Sequence, residues 1–356
     1  MTGEENRGFY LTESQFGPLW KYVCQDEITN IDWDSGHLWI KYAGHIRRRV
    51  EDPEVTKEFI ERFSLLAANH ESRPFNRVDS VLCAETKELR ITFVHEAFAV
   101  SGRSMSIRKS LPRLRFTVKE ALLAGYCQER VMHLLVNCVL GGFNFVFCGE
   151  PGQGKTESAK FFSSFIRPHE KVITVEDLRE WHYGDINPDK DCVELKVQSR
   201  EDYGEAIAVS LRLNPKWLMI AETRSREVRY LLEGWSNGVS CMTTLHVNDA
   251  RRIPDRILNM LESRQDAERL VNQVYSDVGI GVLLKEQECG DGITVHRIWQ
   301  VCFYYRENER NGCVLPVEDG ILYEERLPEF LRARIREGCG QKDIFYNAQV
   351  EERKNA

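Results

Sequence analysis

The sequence has no excess of positive charge. Its 48 Lys and Arg residues face 55 Asp and Glu, a formal net charge of −7. That balance argues against nonspecific nucleic-acid binding as the main task, which relies on clustered cations. Nor is there a run of about 18 uncharged apolar residues of the kind that crosses a membrane. The most apolar region, Val131 to Cys148, is interrupted by His133, Asn137, Gly141, Gly142 and Asn144. The opening residues, MTGEENRGF, are polar and acidic and lack the basic-then-apolar order of a signal peptide. The eleven cysteines are an odd number, and no two are closer than ten residues. Zinc knuckles and redox motifs need tighter pairs. The expectation is therefore reduced thiols in a cytoplasm, with no disulfide framework.

What is present is a 356-residue chain, 42% apolar and 29% charged, long enough for about two folded domains. Residues 1 to about 110 read as a small α+β domain. Two alternating runs, Thr29 to Trp33 and His37 to Tyr42, are parted by Asp34-Ser35-Gly36, a hairpin signal. A helix is expected to open at Pro53, with Val55, Phe59, Ile60, Phe63 and Leu66 on one face. Strands are expected at Ser80 to Cys83, Glu88 to Val94 and Ala97 to Arg108. The short basic stretch Leu111 to Phe116 reads as a linker.

Residues 117 to 356 read as an α/β domain with a mainly parallel sheet. Helical signal runs from Thr117 through Cys138. A buried strand at Phe143–Cys148 and strand-like segments at Lys171–Val175, Val193–Val197, Trp217–Ala221 and Ser240–His246 alternate with helical stretches such as Ser158–Ile166 and Asp202–Leu213. In such a sheet the ligand site lies beyond the carboxyl ends of the strands.

The strongest motif stands there. Gly149-Glu150-Pro151-Gly152-Gln153-Gly154-Lys155-Thr156 satisfies G-x-x-x-x-G-K-[ST], after a buried strand and before a helix. Glycines let backbone N–H groups turn inward around phosphate oxygens, and the helix adds its positive end. Lys155 supplies a mobile cation to the β- and γ-phosphates. The Thr156 hydroxyl is a hard oxygen ligand suited to Mg²⁺. Two apolar strands end in acids: Lys216 to Glu222, and Val172 to Glu176-Asp177. Strand ends often carry solvated carboxylates, but two of them near one phosphate loop suit metal-assisted attack of water. On this reading Glu222 orients or activates water, and Thr156 and Glu176 hold Mg²⁺ directly or through water.

Four boxes in this order resemble the secretion traffic ATPases of type II secretion, type IV pili and conjugative type IV secretion. They are the phosphate loop, an acidic box Ile173–Glu180, a Walker B region Leu211–Arg224 and a histidine box Gly238–Asp249. The likeness covers roughly residues 28 to 262. It implies a homo-hexameric ATPase, with ATP and Mg²⁺ held between a small N-terminal domain and a RecA-like domain. It also implies a cytoplasmic place at the inner face of the membrane, beside inner-membrane platform or coupling proteins. In this family the segment before the linker carries phosphate-contacting arginines; here it is Gly102 to Lys109, and Arg108 is the best match. Arg224 and Arg212 are further candidates. The histidine box makes His246 a nucleotide-state sensor or subunit-interface residue rather than a general base.

The chain also departs from the family. Glu150, Pro151 and Gln153 occupy variable loop positions, and Pro151 has no N–H to offer phosphate. The tetracysteine zinc module of many members is absent, which points to the shorter conjugation-type or tight-adherence-pilus branches. No role is assigned to the aromatic-rich Val295–Arg306. Two other readings stand beside the ATPase: a nucleotide-gated structural or regulatory subunit with little turnover, and a RecA-like nucleic-acid translocase, which the acidic balance disfavours. The cysteine spacing yields one direct expectation. Metal analysis of the purified chain should find no stoichiometric zinc, and one tightly bound zinc per chain would overturn the spacing argument.

Overall fold

The computed structural model describes residues 12–198, 202–223, 227–261 and 267–355. The chain divides into two compact units, residues 1–112 with 288–294, and residues 113–287 with 295–356.

The first unit is built on a six-stranded antiparallel sheet in the order β3-β2-β1-β6-β5-β4. Its strands are β1 (Ile28–Trp33), β2 (Leu38–Tyr42), β3 (Arg48–Val50), β4 (Val81–Glu85), β5 (Leu89–Val94) and β6 (Ser104–Lys109). The expected hairpin is β1–β2. The helix does not open at Pro53. It runs Lys57–Glu71, because the Thr56 hydroxyl caps it by accepting from the Phe59 N–H at 3.1 Å. Its Ile60, Phe63 and Ala67 are buried against the sheet, Phe63 meeting Phe93 edge-on at 5.5 Å. The strand expected from Ala97 begins only at Ser104. The residues before it turn back on themselves, with the Phe98 and Ala99 N–H groups both donating to the His95 carbonyl. Residues 288–294 join this unit through the Ile46 N–H donating to Gly292 O at 2.8 Å and the Thr294 N–H donating to Gly44 O at 2.7 Å.

The second unit carries a nine-stranded sheet in the order β15-β14-β13-β12-β7-β11-β10-β8-β9. Its strands are β7 (Phe145–Cys148), β8 (Val172–Glu176), β9 (Cys192–Lys196), β10 (Trp217–Ile220), β11 (Ser240–Leu245), β12 (Ile280–Glu288), β13 (Thr294–Glu307), β14 (Arg310–Glu318) and β15 (Ile321–Leu322). From β9 to β12 every neighbouring pair is parallel, whereas β13–β14 and β14–β15 are antiparallel. The α/β expectation is met, and the unassigned aromatic run is β13.

Alternate residues of the central strands enter two separate apolar cores. Phe145, Phe147, Trp217 and Met219 face one, which includes the helix Glu129–Leu140 and the C-terminal helices. Val146, Cys148, Leu218 and Ile220 face the other, with the helices Asp202–Arg212, Glu227–Ser236 and Ile253–Met260. A strand buried on both faces needs apolar residues at every position, which is why these segments read as unbroken apolar runs. The continuous helix expected over Thr117–Cys138 is two helices, Val118–Leu123 and Glu129–Leu140. Thr117 and Glu120 form a capping box at the first, and Gly125 breaks the run at φ 70°.

One buried polar network ties the C-terminal segment to this core. Asn137 is fully buried; its amide donates to the Ile344 and Tyr346 carbonyls, both at 2.9 Å, and its oxygen accepts from Asn347 at 2.6 Å. One turn away, His133 Nδ1 accepts from the Asn347 N–H at 2.9 Å, so the neutral ring carries its proton on Nε2, 3.2 Å from Glu351. Glu129, His133 and Glu351 cluster closely enough to suggest a cation site. Yet a protonated Nε2 cannot ligate, and the Lys354 ammonium already holds Glu129. The cluster is a hydrogen-bonded clasp.

Asn137→Leu keeps the volume but strands two carbonyls and the Asn347 amide. Chemical unfolding of the variant should show a loss of about 1–3 kcal/mol for each group left unsatisfied. An unchanged midpoint would refute the clasp.

Candidate functional site

The phosphate loop occupies residues 149–154, between β7 and a helix that runs Lys155–Ser163 rather than Ser158–Ile166. Two of its glycines are required by the backbone. Gly149 has φ 145°, and a Cβ there would sit 2.5 Å from the Gln153 side-chain oxygen and 2.7 Å from Leu284 O. Gly154 caps the helix in the left-handed region at φ 79°. The Gln153 side chain closes the loop on itself, its oxygen accepting from the Glu150 N–H at 2.9 Å.

Lys155 is 8% exposed. Its ammonium donates to the Gly149 carbonyl at 3.1 Å and the Glu150 carbonyl at 2.9 Å, and lies 3.3 Å from His246 Nδ1. On the other side of the ring, His246 Nε2 is 2.9 Å from Glu222 Oε1. An ammonium only donates, so Nδ1 must accept and Nε2–H must face the carboxylate. Lys155, His246 and Glu222 thus form one polar chain across the ends of three parallel strands.

The Glu222 backbone is held from both sides. The Thr244 hydroxyl donates to Ala221 O at 2.7 Å, the Thr223 N–H donates to Thr244 O at 3.1 Å, and the Thr223 and Thr243 hydroxyls are 2.8 Å apart. These bonds stitch the end of β10 to β11 where the sheet ladder stops.

The second acid lies differently from its expected place. Glu176 is 3% exposed, and its Oε2 accepts from the Glu180 and Trp181 N–H groups at 2.8 and 3.1 Å. Burial pushes its carboxyl up to about 7 against the pull of those two amides, with the Glu180 and Glu194 charges adding to the rise. The carboxylate facing the Thr156 hydroxyl is that of Glu180, at 3.3 Å. Glu176 thus shapes the turn through one carboxylate oxygen, and that turn carries Glu180 to the Thr156 hydroxyl. Glu180 is the last residue of the acidic box. Its spacing of four from Glu176 was the available signal, since one turn of tight backbone returns to the same place.

The remaining candidates are dispersed. In the first unit, three cations of the Gly102–Lys109 run take different parts. Arg103 pairs with Glu96 at 2.8 Å, Lys109 is buried and donates to the Val23 and Gln25 carbonyls, and Arg108 stands exposed on β6. Arg212 is exposed at the end of its helix. Arg224 lies outside the described residues. A residue the motifs did not suggest is His296 on β13, whose ring would lie 3.7 Å from a Cβ at Gly154 and whose Nε2 is 3.8 Å from Glu286. No local pattern announces a contact between residues so far apart in sequence.

A glycine-bent loop between a buried parallel strand and a helix, with lysine and threonine opening that helix and a carboxylate at the end of β10, one strand removed across β11, defines a P-loop protein of the α/β class. The chain belongs to the family described as Type II/IV secretion system protein, which matches residues 71–295 and so takes in all four boxes and runs past the last. An uncharacterised protein of Bacillus anthracis is 27% identical over 235 residues, 66% of this chain and 53% of that one. Protein VirB11 of Agrobacterium fabrum is 26% identical over 207 residues, 55% of this chain and 59% of its own. The chain thus spans 53 to 59% of the length of these relatives. The Yersinia pseudotuberculosis ATPase DotB superposes on 98% of this chain and 87% of its own, with TM-score 0.60 and 14% identity. The pilus retraction motor PilT with bound ADP covers 81% and 82%, with TM-score 0.57 and 14% identity. At such identities the likeness is one of fold.

The raised Glu176 carboxyl has a pH consequence. Because its folded value lies above its ordinary 4.5, the stability it contributes is complete below about pH 4.5 and is lost as pH rises through about 7, up to about 3 kcal/mol. Glu176→Gln keeps an acceptor for both amides and cannot ionise. Denaturant unfolding should find the variant gaining on the native chain between about pH 5 and pH 8. A stability difference that does not change with pH would refute the assignment.

Proposed function

We propose that this protein is a Mg²⁺-dependent ATPase that works as a homo-hexamer at the inner face of the cytoplasmic membrane. Its work would drive a conjugative type IV secretion, pilus-assembly or type II-like secretion machine through inner-membrane platform or coupling proteins. Family membership, the kinship with VirB11 and the fold shared with DotB and PilT support the class. Among the described residues no helix is long and apolar enough to cross a membrane, in keeping with a peripheral place.

The observation that carries the reading is the Lys155–His246–Glu222 chain. Phosphate oxygens would draw the Lys155 ammonium from the Gly149 and Glu150 carbonyls, since a charge-assisted bond to phosphate is stronger than one to a neutral carbonyl. That movement would release His246 Nδ1 and change the hold of Nε2–H on Glu222. Glu222 would then orient water towards the γ-phosphorus and take its proton. Thr156 and Glu180 offer hard oxygens 3.3 Å apart, a donor set that fits Mg²⁺. The ion would neutralise charge developing on the β- and γ-oxygens. Arg108 enters only through the family resemblance, as a contact for the γ-phosphate. The closing of the loop by Gln153 favours a second reading, an ATP-binding regulatory subunit with little turnover.

Turnover separates the two. Glu222→Gln should lower kcat by about 10²–10⁴-fold with ATP binding retained, the range of a lost general base. Lys155→Ala should abolish binding by calorimetry with the circular dichroism spectrum unchanged. Turnover by Glu222→Gln equal to the native rate would overturn the mechanism, and a native chain that binds ATP without hydrolysing it would favour the regulatory reading.

A further inference from the structure

Exposed apolar side chains gather on two neighbouring loops at one end of the first unit's sheet. One loop joins the helix Lys57–Glu71 to β4, and the other joins β5 to β6. They run side by side because β4 and β5 pair, with Val81 opposite Val94, and beyond that pair the His95 N–H donates to Ser80 O at 2.8 Å. The Phe75 and His95 rings meet edge-on at 5.5 Å and tie one loop to the other. At the tips Val78 is 89% exposed, Phe98 69%, and Val100 wholly so. An open cleft of about 540 Å³, bounded by the helix and both loops, takes Phe75, Arg77 and Ala97 into its wall but none of these three. They stand out from the surface.

The backbone of both tips is already satisfied. Asn76 Oδ1 accepts from the Val78 N–H at 2.8 Å and the Asp79 N–H at 3.0 Å, and the Asn76 N–H donates to Asp79 O at 3.0 Å. In the other loop the Ala97 N–H donates to His95 Nδ1 at 3.0 Å, the Phe98 and Ala99 N–H groups to His95 O at 2.9 Å, and the Gly102 N–H to Ala99 O at 2.9 Å. A loop that bonds its own N–H groups can carry side chains out of water without stranding donors in hydrocarbon. Charge points the same way. Arg73 and Arg77 are exposed on the first loop, and among the described residues no carboxylate lies within ion-pair distance of either. Of the nearby acids, Glu96 takes a two-pronged bond from Arg103 at 2.8 and 3.1 Å, and Asp79 is turned back onto the Asn76 amide at 3.4 Å.

We propose that these two loops dock the protein on a lipid bilayer that carries anionic headgroups. Val78, Phe98 and Val100 enter the boundary between headgroups and acyl chains, and Arg73 and Arg77 meet the lipid phosphates. A bilayer suits these tips better than a protein does. Lipid closes around side chains that protrude, whereas a protein needs a matching pocket for each. The inference rests on the peripheral membrane place proposed above and assigns the surface that makes it.

The test is flotation of the intact, purified chain with vesicles of phosphatidylcholine, either alone or with about a third phosphatidylglycerol. The formal charge of −7 repels the chain as a whole from the anionic vesicles, so a preference for them reports local cations. The native chain should bind the anionic vesicles ~20-fold more tightly than the neutral ones, the two arginines contributing about equally. Arg73→Gln with Arg77→Gln should remove that preference, as should about 0.5 M salt. Phe98→Ser with Val100→Ser should weaken binding to anionic vesicles ~10-fold or more. All these variants should keep the native circular dichroism spectrum and ATP affinity. A native chain that does not float with anionic vesicles, or a Phe98→Ser, Val100→Ser chain that floats like the native one, would overturn the proposal. Equal affinity for the two compositions would overturn the part given to the arginines. ATP turnover on the same samples keeps the two readings apart. A chain that floats without hydrolysing ATP would support this surface and count against the motor, and one that hydrolyses ATP without floating would overturn the surface alone.

Discussion

Parallel register is the constraint from which the site follows. Cys148 pairs with Leu245, Thr243 with Ile220, and Ile220 with Val175. All four strands run the same way, so one or two residues further along each of them the chain reaches Gly149, His246, Glu222 and Glu176. Four segments scattered over about a hundred residues of sequence are delivered to one edge without any loop having to search for the others. The cost of that arrangement is a sheet buried on both faces, which the two apolar cores meet with helices on each side.

Polar groups at that edge cannot rely on the ladder, which ends there. The threonines at 223, 243 and 244 continue it with hydroxyls, and the acidic turn does so with the Glu176 carboxylate. The Thr244 hydroxyl and the Glu176 carboxylate satisfy backbone groups that would otherwise be buried without partners, and the Thr223 and Thr243 hydroxyls satisfy each other. The same economy explains why Glu176, so prominent at a strand end, is spent on its own turn. A carboxylate accepting two amides at 3% exposure is fixed in place, and fixing it is what positions Glu180 beside Thr156. The loop lysine obeys the same rule, its ammonium held by two carbonyls of the very loop it would serve.

Much of this was legible from the chain alone, for identifiable reasons. The phosphate loop is a local feature whose glycines, lysine and threonine are needed at fixed spacing, so its place between strand and helix could be read directly. Four of the strands around it could be found because a doubly buried strand must be apolar throughout, and the edge strand β9 because Val193, Leu195 and Val197 alternate with Glu194 and Lys196. The hairpin β1–β2 could be found because turn chemistry is local. Helix ends were less legible. Thr56 rather than Pro53 starts one helix, and Gly125 divides another, because a cap or a break depends on which backbone conformation the neighbouring packing selects.

The amino-acid order by itself determined the fold class, the phosphate-loop motif with its place between strand and helix, and the identity of Glu222 and His246 as strand-end groups, since each rests on interactions within a few residues. Only the tertiary structure decided that His246 stands between Lys155 and Glu222, that Glu180 bonds the Thr156 hydroxyl, and that Asn137 takes Asn347 as its partner. Those pairings join residues brought together by sheet register and by the docking of the C-terminal helix. Side chains at such distances in sequence have their partners set by packing, which no local pattern encodes.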